Sequence, residues 1–148
     1  MDHDAKNQEL YETLGQGGLP YIVSGYQKVT GFDQATIVSA LADTYGDRYL
    51  TRSEKGHYKN HFDADGNARV FMYGASWCPY TKKLRDEFTN RGMDYREIDV
   101  EKASDRTSLV SSLQIGGYPL IYVGYRRIQG ADIRKVIEAK KLAISRTP

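Results

Sequence analysis

The 148-residue chain holds a single cysteine, Cys78, so it cannot by itself form an internal disulfide or a cysteine-based structural zinc site. Any thiol chemistry must therefore engage a second molecule. Proline is scarce, with 4 residues against 14 glycines, and 40% of the chain is hydrophobic. That composition excludes collagen-like and low-complexity disordered sequences. No apolar run approaches the roughly 20 residues a membrane-spanning helix needs, so no membrane partner is expected. An excess of one charge is also missing: 21 basic and 19 acidic side chains leave a net +2. The signs alternate, as in Arg85-Asp86-Glu87 and Arg96-Glu97-Ile98-Asp99, which leaves no basic stripe for nucleic acid. The opening Met1-Asp2-His3-Asp4-Ala5-Lys6 lacks the apolar core of a secretory signal, and a cytoplasmic location is expected.

What the chain does contain is a repeat. At a constant offset of 99, Gly17 to Asp33 faces Gly116 to Asp132. Identical pairs are Gly17/Gly116, Gly18/Gly117, Pro20/Pro119, Ile22/Ile121, Gly25/Gly124, Tyr26/Tyr125, Gly31/Gly130 and Asp33/Asp132. Leu10/Leu109 and Leu14/Leu113 coincide upstream at helical spacing. Two copies of one structural unit are expected, each reading helix, Gly-rich loop, strand, tight turn, strand, helix. In the second copy Asp105 to Leu113 reads as a helix stopped by Gly116-Gly117, Leu120 to Val123 and Arg126 to Gln129 as strands, and Asp132 as the cap of a final helix. In the first copy Asp33 is the corresponding cap, with Ile37, Val38 and Leu41 as the buried stripe.

Only the second copy is preceded by a strand, helix and strand. Val70-Phe71-Met72-Tyr73 reads as a buried strand, Lys82 to Asn90 as a helix ended by Arg91-Gly92, and Tyr95 to Val100 as an alternating strand. Parallel strands need such a crossover, so residues 69–144 are expected to form a four-stranded mixed α/β sheet with helices on both faces. The expected organisation is a cysteine-free partial repeat over 1–44, a helical linker over 45–68 and the complete domain over 69–148. In the linker, Thr51-Arg52-Ser53-Glu54 matches a capping box opening a helix to about His61. His57 and His61 share a face, but no third ligand at a specific spacing supports a metal. Asp63-Ala64-Asp65-Gly66-Asn67 reads as a turn, since its glycine comes too early for a calcium loop and no closing Glu follows.

Cys78 sits where the N-cap of a helix is expected, with Pro79 suited to the first turn. Unpaired N–H groups and the helix dipole there favour an anion, which lowers the pKa of a thiol. The competing reading is a buried, inert cysteine beside Trp77.

Residues 69–144 resemble a glutaredoxin on the thioredoxin fold. Trp77-Cys78-Pro79-Tyr80-Thr81 is similar to the family's C-P-Y-C active site with Thr81 in place of the second cysteine. Tyr118-Pro119 sits where the family has its cis-proline, and Gly130-Ala131-Asp132 resembles its glutathione-binding segment. The resemblance implies a glutathione-dependent thiol–disulfide oxidoreductase working by a monothiol route, with Cys78 as nucleophile and Pro79, Tyr80 and Thr81 around it. It also implies that the backbone of Tyr118, beside Pro119, pairs with the glutathione main chain. Gly130, Ala131 and Asp132 would then hold the γ-glutamyl group. Glutathione is the implied co-substrate, and glutathionylated or disulfide-bearing proteins are the implied partners.

Departures from the family pattern are specific. Ala75 and Gly116 replace basic residues, Gln129 replaces the first glycine of a Gly-Gly pair, and Ile133 replaces the second of two aspartates. Lys82, Lys83, Arg126 and Arg127 are the candidate substitutes for the lost cations. Two alternatives stand beside the oxidoreductase: a carrier sharing a [2Fe–2S] cluster between two protomers, and a non-catalytic interaction module. In the complete fold the proline-led strand lies mid-sheet, so Tyr21 to Ser24 leaves an open edge in the first copy. That edge is expected either to join a twin in a homodimer or to extend the sheet of residues 69–144.

Overall fold

A computed structural model describes residues 21–24, 27–30 and 33–145, with backbone alone at 21–24, 27–30 and 145. The sequence matches centred on Gly17 to Pro20 lie outside the described residues. Strands β1 (Tyr21–Ser24) and β2 (Gln27–Thr30) are followed by helix α1 (Gln34–Tyr45) and a 3-10 turn, Gly46–Tyr49. Helix α2 (Arg52–Tyr58) leads through a second 3-10 turn, Lys59–His61, to strand β3 (Val70–Gly74). Then come α3 (Pro79–Asn90), β4 (Arg96–Asp99), α4 (Arg106–Leu113), β5 (Leu120–Val123), β6 (Arg126–Gln129) and α5 (Ile133–Ser145).

The main sheet has the order β4-β3-β5-β6. β4 runs parallel to β3, whereas β5 is antiparallel to both β3 and β6. Alternation along the two central strands divides the core. Phe71, Tyr73, Leu120 and Tyr122 point to one face, where they meet Leu109 and Leu113 of α4 together with Ala42, Leu50 and Tyr58. Val70, Met72, Ile121 and Val123 point to the other, against Leu84 and Phe88 of α3 and Val136 and Ala139 of α5. Leu84 and Phe88 are fully buried, and their i, i+4 spacing anchors α3 with about 1.5–3 kcal/mol of burial each.

The hairpin β1–β2 forms its own two-stranded sheet, which corrects the expectation that it extends the four-stranded one. Its register nevertheless follows the offset of 99. Tyr21 pairs with Thr30 and Ser24 with Gln27, as Leu120 pairs with Gln129 and Val123 with Arg126. The caps correspond too: Asp33 Oδ1 accepts from Ala35 N at 3.2 Å, and Asp132 Oδ1 accepts from Arg134 N at 3.0 Å.

α1 lies along the outer edge of β6. The Ser39 hydroxyl donates to the Tyr125 carbonyl and accepts from Arg127 N at 2.9 Å. One fully buried side chain thus satisfies two groups of an edge strand that would otherwise lack ladder partners. The segment 45–68 is built into the same core, through Leu50 and Tyr58. α2 opens with the Thr51/Glu54 capping box, as the sequence suggests. α4 ends at Leu113 as expected, but the residue that caps it is Gln114, in the left-handed region at φ 51°, rather than the Gly116-Gly117 pair.

Candidate active site

β3 ends at Gly74, where the chain must pass close beneath α3. A Cβ at that position would lie 2.4 Å from Thr81 Cγ2, so only glycine fits. Thr81 is itself fully buried, and its hydroxyl accepts from Ala75 N at 3.5 Å. The intervening loop is fixed at both ends. Ser76 N donates to Asp99 Oδ2 at 3.1 Å, and the Trp77 indole N–H donates to Glu101. Cys78 is the N-cap of α3, with Pro79 in its first turn. The Cys78 N–H donates to Ala75 O at 3.1 Å, and its carbonyl accepts from Lys82 N at 3.1 Å.

The sulfur lies just beneath the surface, the residue being 6% exposed, while Trp77 and Tyr80 beside it are each 64% exposed. Burial pushes the Cys78 thiol up, but the Thr81 N–H, the Thr81 hydroxyl and the Tyr80 N–H outweigh it. The net result is a pKa below the ordinary thiol value, the direction expected where unpaired helix-terminal donors face an anion. Thr81 therefore supports the thiolate, although it cannot resolve a disulfide.

Across from the sulfur is the loop 116–119. Tyr118-Pro119 is a cis peptide bond, and Cys78 Sγ lies 3.8 Å from the Tyr118 carbonyl, toward which the thiol points. Trp77 and Tyr118 meet edge to face with centroids 6.2 Å apart. Burial first, then the charge of Glu101, raises the Tyr118 phenol above its usual range, so it is neutral beside the sulfur. Gly130 joins this loop through its N–H, which donates to Pro119 O at 2.9 Å. Ala131 packs against the core under α5, and Asp132 caps that helix. Burial works against the Asp132 carboxylate, but the Arg134 N–H and side chain hold its pKa below the usual range.

The structure thus brings Cys78, Pro79, Tyr80, Thr81, Tyr118 and Pro119 to one end of the sheet, with Gly130 tied to the last of them. Three of the four candidate substitute cations are paired with other groups. Arg126 pairs with Asp43 at 3.6 Å. Arg127 donates to the Leu113 and Gln114 carbonyls and to the Tyr122 hydroxyl. Lys82 pairs with Asp86 at 2.8 Å. Both arginines are occupied by the fold. The cation that acts on Tyr118 is Arg106, which also lies 3.9 Å from Glu101. Arg106, Glu101 and Asp99 are not marked in the sequence, because side chains that meet only through the fold carry no local spacing signal.

Ala75 is buried, and Gly116 faces open space, so neither position adds a charge. Neither His57 nor His61 belongs to the site: His57 Nε2 lies 3.0 Å from Ser108 Oγ, and buried His61 Nε2 lies 2.7 Å from Tyr73 OH. No group of three metal-ligating side chains occurs among the described residues. One thiolate per chain supplies a single ligand to a [2Fe–2S] cluster, so these residues do not fit a cluster site without a second copy and an external thiol. Among the described residues no helix is long and apolar enough to cross a membrane.

Residues 70–128 match the glutaredoxin family model. The chain has no match among curated proteins. Several solved structures are similar to it. Holo glutaredoxin C1 of Populus tremula x tremuloides is 19% identical over 62% of this chain and 93% of that one, with a TM-score of 0.46. The buckwheat glutaredoxin–glutathione complex is 18% identical over 61% and 84%, with a TM-score of 0.47. Grx-1 of Archaeoglobus fulgidus is 27% identical over 51% and 88%, with a TM-score of 0.43. The family match supports a function of the thiol–disulfide oxidoreductase type. The match runs from β3 into β6, the stretch that carries Cys78 and the Tyr118-Pro119 loop.

Proposed function

We propose that the protein reduces glutathione mixed disulfides by a monothiol route through Cys78. The observation that carries this reading is a sole cysteine at the N-cap of α3 with a lowered pKa, facing the Tyr118 carbonyl at 3.8 Å. The Cys78 thiolate attacks the glutathionyl sulfur of a protein–glutathione disulfide. That S–S bond breaks, the protein thiolate leaves and takes a proton, and a Cys78–glutathione disulfide remains. A glutathione thiolate then attacks the glutathionyl sulfur on Cys78, which releases glutathione disulfide and regenerates the Cys78 thiolate. The sum is one mixed disulfide plus one glutathione giving one protein thiol plus one glutathione disulfide.

Thr81 and the N–H groups of Tyr80 and Thr81 hold the anion, and the Tyr118 main chain lies beside the substrate sulfur. Gly130, Ala131 and Asp132 provide the γ-glutamyl side of the site in this reading. Partners are glutathione and glutathionylated or disulfide-bearing proteins in a reducing compartment such as the cytoplasm. A second copy of this chain at the outer edge of β1 is a further partner.

The test is turnover of a glutathionylated peptide with excess glutathione, wild type beside Cys78→Ser. Turnover that vanishes in the variant supports the reading. Equal turnover in both, or none in the wild type, overturns it.

A further inference from the structure

Gln129 closes β6 with its side chain turned back over the loop opposite Cys78. Its amide Nε2 donates to Gly117 O at 3.2 Å and to Pro119 O at 3.2 Å, and so spans Tyr118 from one side to the other. The Pro119 carbonyl receives a second donor, Gly130 N, at 2.9 Å. The Gly117 carbonyl and the Tyr118 N–H belong to one peptide unit, and in a trans peptide these two groups point in opposite directions. Holding the carbonyl toward Gln129 therefore turns the Tyr118 N–H away from it. That N–H has no hydrogen-bond partner among the described residues. The carbonyl of the same residue lies 3.8 Å from Cys78 Sγ, where it receives the thiol proton. Ionisation of Cys78 removes that donor and leaves the carbonyl available as well.

Tyr118 thus presents one donor and one acceptor next to the reactive sulfur, the pair that an extended peptide main chain satisfies as an added strand does. An alkyl group beside a disulfide offers neither, and a hydroxyl carries its donor and acceptor on one atom rather than at the spacing of a main-chain N–H and C=O. Among the described residues no other side chain donates to the Gly117 or Pro119 carbonyl. Gly116 and Gly117 have no side chains to hold the loop, and the amide at 129 does so instead.

We infer that Gln129 is a positioning residue that fixes the Gly117–Tyr118 peptide plane, and that it makes the site selective for disulfides carried on a peptide main chain over simple ones. The inference rests on the reading that Cys78 performs thiol–disulfide exchange. The step concerned is the attack of the Cys78 thiolate on one substrate sulfur, with the other sulfur leaving as a thiolate that is protonated by solvent.

The test uses the full chain, reduced, under single-turnover conditions with two probes: glutathione disulfide, which carries amide main chain, and hydroxyethyl disulfide, which carries none. Formation of the mixed disulfide on Cys78 is followed by mass. Gln129→Met keeps the length of the side chain without a donor, and Gln129→Leu is a second variant of the same kind. With glutathione disulfide, both variants are expected to need about five- to tenfold more probe for half-maximal rate, the change one typical hydrogen bond carries. The limiting rate should stay within about twofold. With hydroxyethyl disulfide, rates should match the wild type, which also reports that the variants are folded. An equal loss with both probes, or no change with either, overturns the inference while leaving the exchange reading intact. A wild type that reacts with neither probe faster than free cysteine overturns both.

Discussion

Around one sulfur, buried Gly74 and Thr81 act together. Thr81 is buried because Gly74 leaves it room, and from there its hydroxyl and N–H favour the Cys78 thiolate against the opposing effect of burial. Thr81→Val keeps the shape and removes the hydroxyl. The pH midpoint for alkylation of Cys78 should move upward, and reactivity at neutral pH should fall roughly two- to fivefold. An unchanged midpoint would mean that the helix N–H groups suffice alone.

His61 yields a second expectation at this scale. Burial pulls its pKa down to about 3 against the backbone of Gly124, which works the other way. The unfolded chain therefore binds more protons than the folded one between the ordinary histidine value of about 6.5 and about 3, and stability should fall on acidification across that window. The lowered aspartates, Asp33, Asp63, Asp99 and Asp132, act only below the ordinary carboxylate range. Replacing both partners of the hydrogen bond, His61→Phe with Tyr73→Phe, should flatten the urea-unfolding stability between pH 6.5 and pH 4 relative to wild type. A double variant that loses stability as steeply as the wild type in that range would contradict the assignment to His61.

Among the elements, the contact between α1 and β6 has the clearest consequence. Ser39 serves both the Tyr125 carbonyl and the Arg127 N–H from a fully buried position. Ser39→Ala should cost about 1–3 kcal/mol in urea denaturation, since two buried edge groups lose their partner. A loss indistinguishable from zero would show that solvent reaches that edge.

The elements were legible wherever the signal was local. Asp33, Thr51 and Asp132 mark helix starts by capping chemistry, Arg91-Gly92 marks the end of α3, and a run of aromatic and β-branched residues after Pro119 marks β5. Gln114 was not legible as a helix end, because a non-glycine residue in the left-handed region leaves no compositional trace. The Ser39 bridge was equally hidden: its partners lie 86 and 88 residues away, and a serine on a helix looks like a surface residue until β6 is beside it. At the site the same division holds. The Cys78-Pro79-Tyr80-Thr81 run and Pro119 could be read from sequence order. The commitment of Arg126 to Asp43 and of Arg127 to carbonyls at the end of α4 could not.

For the molecule as a whole, the stretch 70–128 that matches the glutaredoxin family model shares one of its two cores with residues that precede it in the chain. Leu50 and Tyr58 lie in the same cluster as Tyr73 and Tyr122, so residues 33–62 complete one face of the sheet rather than hang beside it. β1–β2, by contrast, is a separate hairpin whose described pairing is confined to its own two strands. Its counterpart β5 is flanked on both sides, by β3 and β6. A second copy adding a strand to β1 is the partner proposed for that edge. Sedimentation velocity over a range of concentrations should then show a monomer–dimer equilibrium. A single monomeric species at all concentrations would remove that partner and leave the Cys78 chemistry untouched.

The central claim, that Cys78 carries glutathione between a substrate and free glutathione, is tested most directly by the mass of the intermediate. The protein is mixed with one equivalent of a glutathionylated peptide and quenched by acid. The account predicts one glutathione per chain, located on Cys78, with the peptide recovered as a free thiol, and loss of that adduct when glutathione is added. Retention of the peptide on Cys78 in place of glutathione, or an adduct that added glutathione does not remove, would contradict it.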